Sequence, residues 1–519
     1  MPTLMPTDTA AILGQNAEKC DSRSLLLDRF VYDHPTMDEA RRLHLSRVCE
    51  DASRFVQATR AKWQNECRES RNEAERRKLQ AYLDDTATLA RRTAFVGPAE
   101  PKTASESKRT FMKAVAGENE ILHAQLQSRL MVNMAGGVME NAGLCLDRFG
   151  LPYIPGSAVK GCARRAALAA LHEWCEAGGK PEHKPTGADN PLAPCCAAFT
   201  TPAEMLAAIA RVFGWCEQDW SDRRNQSDFL WACGPNHREV AQTAAQTLAA
   251  HFGWEIAEKH PDTPWKSLPN FAGSVSFLPA YPVDLDQPSK LDQPRKVDGL
   301  PLEVPPLGKL ELDVVTCHHR DYYAGKSPTA TDTEEPVPVV FPAVAPGHVF
   351  AFAIARLRGA DAQLIQHART WLATGLSVFG LGAKTAAGYG WFDCCQRVQD
   401  TVASIIQRIT EKHRKEQEEA EGKRRAEEAK KAAEKAERDR LANAPPHEKF
   451  RAEYSKLADE PFATQSKKYH EMTDDQRHGF VLALKERRET AKRWAKKKPE
   501  LLKPWQEFAQ KLQPPIHLP

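Results

Sequence analysis

Between Glu411 and Arg440, 21 of 30 residues are Asp, Glu, Lys or Arg, and alanine is the main filler. Such a stretch has too little apolar surface to join a core. It is expected to run as a solvated helix of roughly 45 Å, at 1.5 Å per residue. Ala426, Ala429, Ala433 and Ala436 supply only a thin heptad seam, which favours a spacer over a coiled coil. The stretch divides the chain into a long sequence before it and a shorter helical set after Ala444-Pro445-Pro446. That last set contains Lys485 to Lys498, where eight of fourteen residues are basic and Trp494 sits among them.

The 519 residues allow two to four folded units. Apolar residues make up 41% and charged residues 27%, a soluble balance. No run reaches the ~18 apolar residues of a membrane span, and Met1 to Cys20 lacks the pattern of a secretory signal. No membrane partner is expected. Thirteen cysteines without framework spacing fit a reducing, cytoplasmic compartment. Charge is uneven: residues 1–120 hold 20 basic and 19 acidic side chains, residues 121–400 hold 24 and 29, and residues 401–519 hold 28 and 21. Bulk charge therefore excludes the middle as a basic nucleic-acid binder, and RNA recognition there must rest on local motifs.

Residues 1–115 read as a helical N-terminal extension and linker. A helix over Thr36–Arg68 opens with a Thr36/Glu39 capping box and places Leu45, Val48, Ala52, Phe55 and Val56 on one face; residues 69–93 continue as helix, and Gly97 to Ser107 reads as linker. Residues 116–400 alternate β-type runs (Leu130 to Met134, Ser274 to Leu278, Leu310 to Val315, Val349 to Ile354) with helices from Ala158 to Ala177 and Asp361 to Val378. This order suggests an α+β, ferredoxin-like (RRM-like) sheet with helices on one face, interrupted at about 178–270 by a helical insertion. Residues 401–519 are expected to form a charged helical C-terminal extension, a separable arm whose basic end meets RNA or an acidic surface, or else only confers solubility with Trp494 buried.

Two motifs carry chemistry. In Leu151-Pro-Tyr-Ile-Pro-Gly-Ser-Ala-Val-Lys-Gly-Cys-Ala-Arg-Arg165 the prolines and glycine set a turn and Ser157 is placed to cap the next helix. The helix N-terminus favours a phosphate, and Lys160 and Arg164 at i,i+4 add cations. An ordinary capped helix with a solvated basic edge explains the same residues. In Phe379-Gly-Leu-Gly-Ala-Lys-Thr-Ala-Ala-Gly-Tyr-Gly-Trp-Phe392, four glycines fall in eleven positions. Ala383 before the lysine excludes a Walker loop, and Thr385 breaks a dinucleotide fingerprint. Lys384 with exposed N–H groups could follow an RNA backbone, with Tyr389 as a stacking face; a tight turn with core aromatics accounts for Trp391 and Phe392.

The two motifs, in this order and about 220 residues apart, resemble the RAMP superfamily of CRISPR RNA-binding proteins. Gly273 to Pro282, Glu311 to Tyr323 and the Phe341 to Ile354 strand resemble, within it, the family of sixth subunits of type III-B (Cmr) effector complexes. The resemblance covers roughly residues 120–395. Pro279 stands where that family often has an acidic residue, so no metal or catalytic role is assigned there. The resemblance implies a non-catalytic subunit that binds guide RNA near its 3′ portion, meets target RNA, and packs on other RAMP subunits of a Cmr complex in antiviral defence. Ser157, Lys160 and Arg164 would hold phosphates from one side, and Gly380, Gly382, Lys384, Thr385, Gly388 and Tyr389 from the other. His318 and Arg320 would add a polar strand end.

Competing chemistry is weaker. The cluster from His318 to Tyr323 has groups for acid–base cleavage of RNA, the alternative being a RAMP endoribonuclease; a binding role is expected instead. Asp147 lies near the position of an aspartate in target-cleaving relatives, yet reads as a solvated surface carboxylate. Cys195 and Cys196, with His172, Cys175 and His183, are zinc-type ligands, but vicinal cysteines coordinate one ion poorly and no C-x-x-C exists. Neither metal nor cofactor is expected.

Overall fold

The computed structural model describes residues 98–117, 120–133, 144–220, 227–256, 263–285, 294–331 and 337–519, with short stretches among the first 97 residues. Most of the expected Thr36–Arg68 helix lies outside the described residues. The chain forms two compact units, Met1–Ile409 and Thr410–Pro519.

The first unit mixes helices with antiparallel sheet. We label strands β1 (Ile121–Leu126), β2 (Val275–Phe277), β3 (Tyr281–Pro282), β4 (Leu310–Cys317), β5 (Val337–Val344), β6 (Val349–Arg356) and β7 (Phe392–Asp393). Helices are α1 (Pro101–Ala116), α2 (Gly156–Glu176), α3 (Pro202–Phe213), α4 (His237–Phe252), α5 (Ala362–Thr374) and α6 (Gln396–Ala442). The central sheet runs β7-β1-β6-β2, with β3 also on β6. Its register pairs Val349 with Gln125, Ile354 with Phe277 and Phe392 with Leu126. Strands β4 and β5 form a separate eight-residue ribbon.

Strand β6 explains the layering. Residues Val349 to Ala355 are all buried, as a central strand covered on both faces requires. Its large side chains Phe350, Phe352 and Ile354 join the core containing α2 and α5. Val349, Ala351, Ala353 and Ala355 face Met112 and Ala116 of α1 and Val398, Val402, Ile405, Ile406 and Ile409 of α6. The helices are therefore not confined to one face. The sequence from Gly97 to Ser107 is likewise not all linker, because α1 starts at Pro101 and buries Ala104 and Ser105. The described unit ends at Ile409 rather than at residue 400, since the first turns of α6 fill core space. Leu130 contributes only a bridge to Val344, and the strand there is β1. The segment within 178–270 is mainly helical, with α3, α4 and a short helix at Asp228–Cys233.

In the second unit every residue from Arg414 to Arg440 is exposed on α6, with i,i+4 pairs such as Arg425–Glu421 (2.8 Å) and Lys431–Glu427 (2.7 Å). Each contributes about 0.3–0.5 kcal/mol, so local helix energetics hold this stretch. Helices α7 (Pro446–Ser455), α8 (Asp459–Ser466), α9 (Asp474–Glu486), α10 (Arg488–Lys497) and α11 (Pro499–Lys511) follow. Phe462, Phe480, Trp494 and Trp505 centre their core, with Phe480 4.2 Å from Trp505 and 4.5 Å from Phe462 between ring centroids. Among the described residues, no helix is long and apolar enough to cross a membrane.

Candidate nucleic-acid interface

The glycine-rich loop follows α5, which ends in one π-type turn, Gly375–Phe379. Three of its glycines are consumed by the loop's own folding. A Cβ on Gly382 would lie 2.2 Å from the Met131 carbonyl, one on Gly390 1.9 Å from that of Leu381, and one on Gly380 3.1 Å from that of Gly390, all at positive φ. Backbone bonds fix the loop on the segment after β1: Ala383 N donates to Met131 O (2.8 Å) and Gly390 N to Arg129 O (2.8 Å). Gly388 alone, at φ +91°, has open space around it. Gly382 and Gly388 are exposed and Gly380 and Gly390 buried, so the expected close approach of a ligand to glycine backbone is open at the first two, while the packing at Gly380, Gly382 and Gly390 fixes the course of the loop.

Lys384 heads the 3₁₀ turn Thr385–Ala387 in left-handed backbone, φ 58°. Its carbonyl accepts from Ala387 N (2.9 Å) and Tyr389 N (3.3 Å), which offsets the roughly 1–2 kcal/mol cost of that conformation. Its ammonium lies 5.2 Å from the centroid of the Phe341 ring. Thr385 is half-buried and accepts from the Trp391 indole (3.3 Å).

Tyr389 does not present a free stacking face. Its ring packs against Phe341 at 6.2 Å, beside Met131, Ala343 and Ala383. Its hydroxyl donates to Asp313 Oδ2 (2.5 Å). Burial first, and then the adjacent carboxylate, pushes the phenol up to about 12. Arg129 bridges Glu311 (3.0 Å) and Asp313 (3.2 Å). Tyr389 therefore clamps the loop to the ribbon. Ribbon alternation puts Asp313 and its partner Phe341 on the loop side.

Helix α2 abuts this loop. Cys162 Sγ donates to Gly380 O (3.7 Å), and the Arg165 guanidinium stacks 4.6 Å from the Phe379 ring centroid. Ser157 is not the cap: Pro155 is the N-cap residue and Ser157 lies exposed inside the first turn. Gly156 precedes it because a Cβ there would sit 2.3 Å from the Phe277 carbonyl. Lys160 and Arg164 are turned toward the insertion. Lys160 Nζ donates to Phe213 O (3.1 Å), serving the C-terminal end of α3. Burial and then Arg164 pull its ammonium below the usual value, with Asp219 opposing. Arg164 pairs with Asp219 (3.2 Å) and Asp228 and lies over Phe229 (5.3 Å). The cation left beside the loop is Arg165, exposed on the stripe Ser157, Gly161, Arg165. Its helical phase was readable from an exposed Ser157, at i+8.

The ribbon carries His318 away from the loop, five residues or about 16 Å along the strand from Asp313. His318 is exposed, and Tyr323 is 77% exposed. The Nδ1 atom of His319 is buried without a partner. Arg320 opens the short helix Arg320–Tyr323, and its side chain lies outside the described residues. Asp147 is not a solvated carboxylate: its side chain is 7% exposed, Oδ1 accepts from Phe149 N (2.9 Å) and Leu151 N (3.0 Å), and Lys108 lies 3.9 Å from Oδ2. It organises the turn entering the first motif. Burial pushes the Cys195 thiol up to about 11 and that of Cys196 up to about 12, disfavouring the thiolates a metal needs. Among the described residues, no group of three His, Cys, Asp or Glu side chains could hold a metal ion.

The family model of the RAMP superfamily matches residues 135–393. The CRISPR system Cmr subunit Cmr6 of Pyrococcus furiosus is 26% identical over 301 residues, covering 56% of this chain and 74% of that protein. Among solved structures, the type III-B Cmr-beta complex bound to cognate target RNA contains a chain matched at 15% identity and TM-score 0.30, over 63% of this chain and 76% of that one. The crystal structure of Cmr6 from Pyrococcus furiosus matches at 23% identity and TM-score 0.22, over 53% and 97%.

Proposed function

This chain belongs to the RAMP superfamily, and on that premise we propose that it is a non-catalytic, RNA-binding subunit of a type III-B CRISPR effector ribonucleoprotein. It acts in the cytoplasm in antiviral defence, with a ferredoxin-like core, and packs on other RAMP subunits. It holds guide RNA near its 3′ portion, alongside target RNA. One observation carries the reading: a loop whose course is fixed by three internally packed glycines carries Lys384 and the open Gly388, and Arg165 lies exposed over Phe379 at the start of that loop. A preorganised cationic loop contributes phosphate contacts without ordering cost at binding. Relative to the sequence-based assignment, the phosphate-facing set becomes Lys384, Thr385, Gly388, Ser157 and Arg165, with Gly380, Gly382 and Tyr389 as positioning residues.

The non-catalytic reading is supported by the arrangement at the best acid–base candidate. Among the described residues no hydrogen bond orients either His318 or His319, and a general base needs such orientation. The test is incubation of the purified chain with end-labelled guide and target RNA. Stoichiometric binding without turnover is expected. Multiple-turnover cleavage that is abolished by His318→Ala or His319→Ala would establish the endoribonuclease instead.

A further inference from the structure

We propose that helix α10 and its flanks form a second RNA-backbone contact surface, carried by the C-terminal unit and independent of the glycine-rich loop. Positive charge within that unit is concentrated rather than spread. Residues 485–498 hold eight cations and two carboxylates, whereas the rest of residues 446–519 holds eight cations and nine carboxylates.

Folding then sorts those eight cations by task. Arg487 is structural: it reaches Asp459 (3.2 Å), donates to the carbonyls of Ser455 (3.1 Å) and Leu457, and lies over Phe462 at 4.4 Å. Arg493 also points to Asp459 (3.5 Å), and Lys492 makes a surface pair with Glu489 (3.1 Å). Thr490, Ala491 and Trp494 take the inward face of α10. Lys485, Arg488, Lys496, Lys497 and Lys498 remain exposed, and among the described residues no carboxylate pairs with them. Arg488, Lys492 and Lys496 recur every four residues, steps of about 6 Å along a rigid helix.

The chemistry of this face selects its occupant. Among the described residues of the second unit, no large apolar side chain is exposed, so there is no anchor for a lipid interface. A stable protein interface has an apolar or aromatic centre, and the local candidate, Trp494, is buried in the bundle. A set of long cations without an apolar centre fits a polyphosphate backbone, read without base specificity. The separate core of this unit holds these cations in place without help from the loop.

The test measures binding of the full chain to a labelled uridine homopolymer of about 30 nucleotides across a salt series. The variant Arg488→Ala/Lys496→Ala/Lys497→Ala/Lys498→Ala should lower the salt slope by about 2–3, at about 0.7 per contact, and weaken low-salt affinity roughly tenfold or more. Its circular dichroism and melting should match wild type, because all four side chains are exposed. In parallel, Lys384→Ala probes the loop, and losses from the two sites should add. If Lys384→Ala weakens binding while the fourfold variant does not, the arm surface is refuted and the loop reading stands; the reverse outcome supports the arm and refutes the loop. Unchanged RNA binding together with a salt-sensitive affinity for polyglutamate, lost in the fourfold variant, would assign the face to an acidic protein and overturn the proposal.

Discussion

Lys160 and Lys384 look equivalent in the sequence, each being a lysine within a glycine-bearing motif, but the fold gives them different tasks that one pair of substitutions separates. Lys384 and Arg165 border the loop, each over an aromatic ring (5.2 Å and 4.6 Å to the centroid). Arg165 is exposed and Lys384 half-buried, so removing each cation–π contact costs about 0.5–2 kcal/mol, which a folded unit of this size tolerates. If each cation neutralises one phosphate, Lys384→Ala/Arg165→Ala should reduce the salt slope by about 1.4. Over a fourfold rise in salt, wild type should then lose about sevenfold more affinity than the variant. Lys160→Ala should do the opposite. It deletes a charge-assisted bond to Phe213 O, worth about 1.5–3 kcal/mol, partly offset because the ammonium is desolvated and repelled by Arg164. A net loss of about 1–2 kcal/mol should lower Tm by a few degrees and leave the RNA salt slope unchanged. Fluorescence anisotropy across a salt series, with a thermal melt on each variant, reads both quantities. A Lys160→Ala variant with wild-type Tm and a flattened salt slope would refute the division of labour.

Three further outcomes are expected. Buried His348 donates from Nδ1 to Ala345 O (2.8 Å) and accepts from Gly308 N at Nε2 (3.0 Å); burial pulls its pKa down to about 4. The unfolded chain thus takes up a proton near pH 6.5 that the fold refuses, so about 3 kcal/mol of stability, present above pH 6.5, is lost as pH falls toward 4; urea titrations should show a steeper acid loss in wild type than in His348→Gln, and equal slopes would sink the assignment. Gly390→Ala, whose Cβ would lie 1.9 Å from Leu381 O, should disrupt the loop and RNA affinity far more than Gly388→Ala, which faces open space and bears only the roughly 1–2 kcal/mol left-handed penalty; equal effects in binding and melting assays would contradict the packing. Ending the chain after Asp400 removes Val402, Ile405, Ile406 and Ile409 from the core, roughly 6–12 kcal/mol of burial, and should cause aggregation, whereas ending it after Ile409 should leave the first unit soluble and monomeric by size-exclusion chromatography.

Local physics made part of this protein legible without coordinates. The charged stretch around Arg414–Arg440 is helical and exposed because alanine and i,i+4 ion pairs act within one turn. The run from Val349 announced a strand, because that depends only on neighbouring residues. Sequence pattern also located α2 and α5 to within a few residues.

What a side chain does once it leaves its own element was decided by tertiary structure. Lys160 and Arg164 share a helical stripe, yet their partners Phe213, Asp219 and Asp228 come from an insertion about fifty to sixty residues away. Asp147 gains its burial from the turn it bonds and from Lys108, and Tyr389 loses its free face to Phe341 and Asp313 across the ribbon. The second face of the sheet is covered by α1 and by a helix whose first turns belong to the core and whose remainder is solvated, a division that no local charge count resolves. Residue type sets which bonds a group can make, and short-range spacing sets the element that carries it. Desolvation and pairing are set by whatever the rest of the chain packs against it, and they decide which of the candidate cations is left exposed to meet a phosphate.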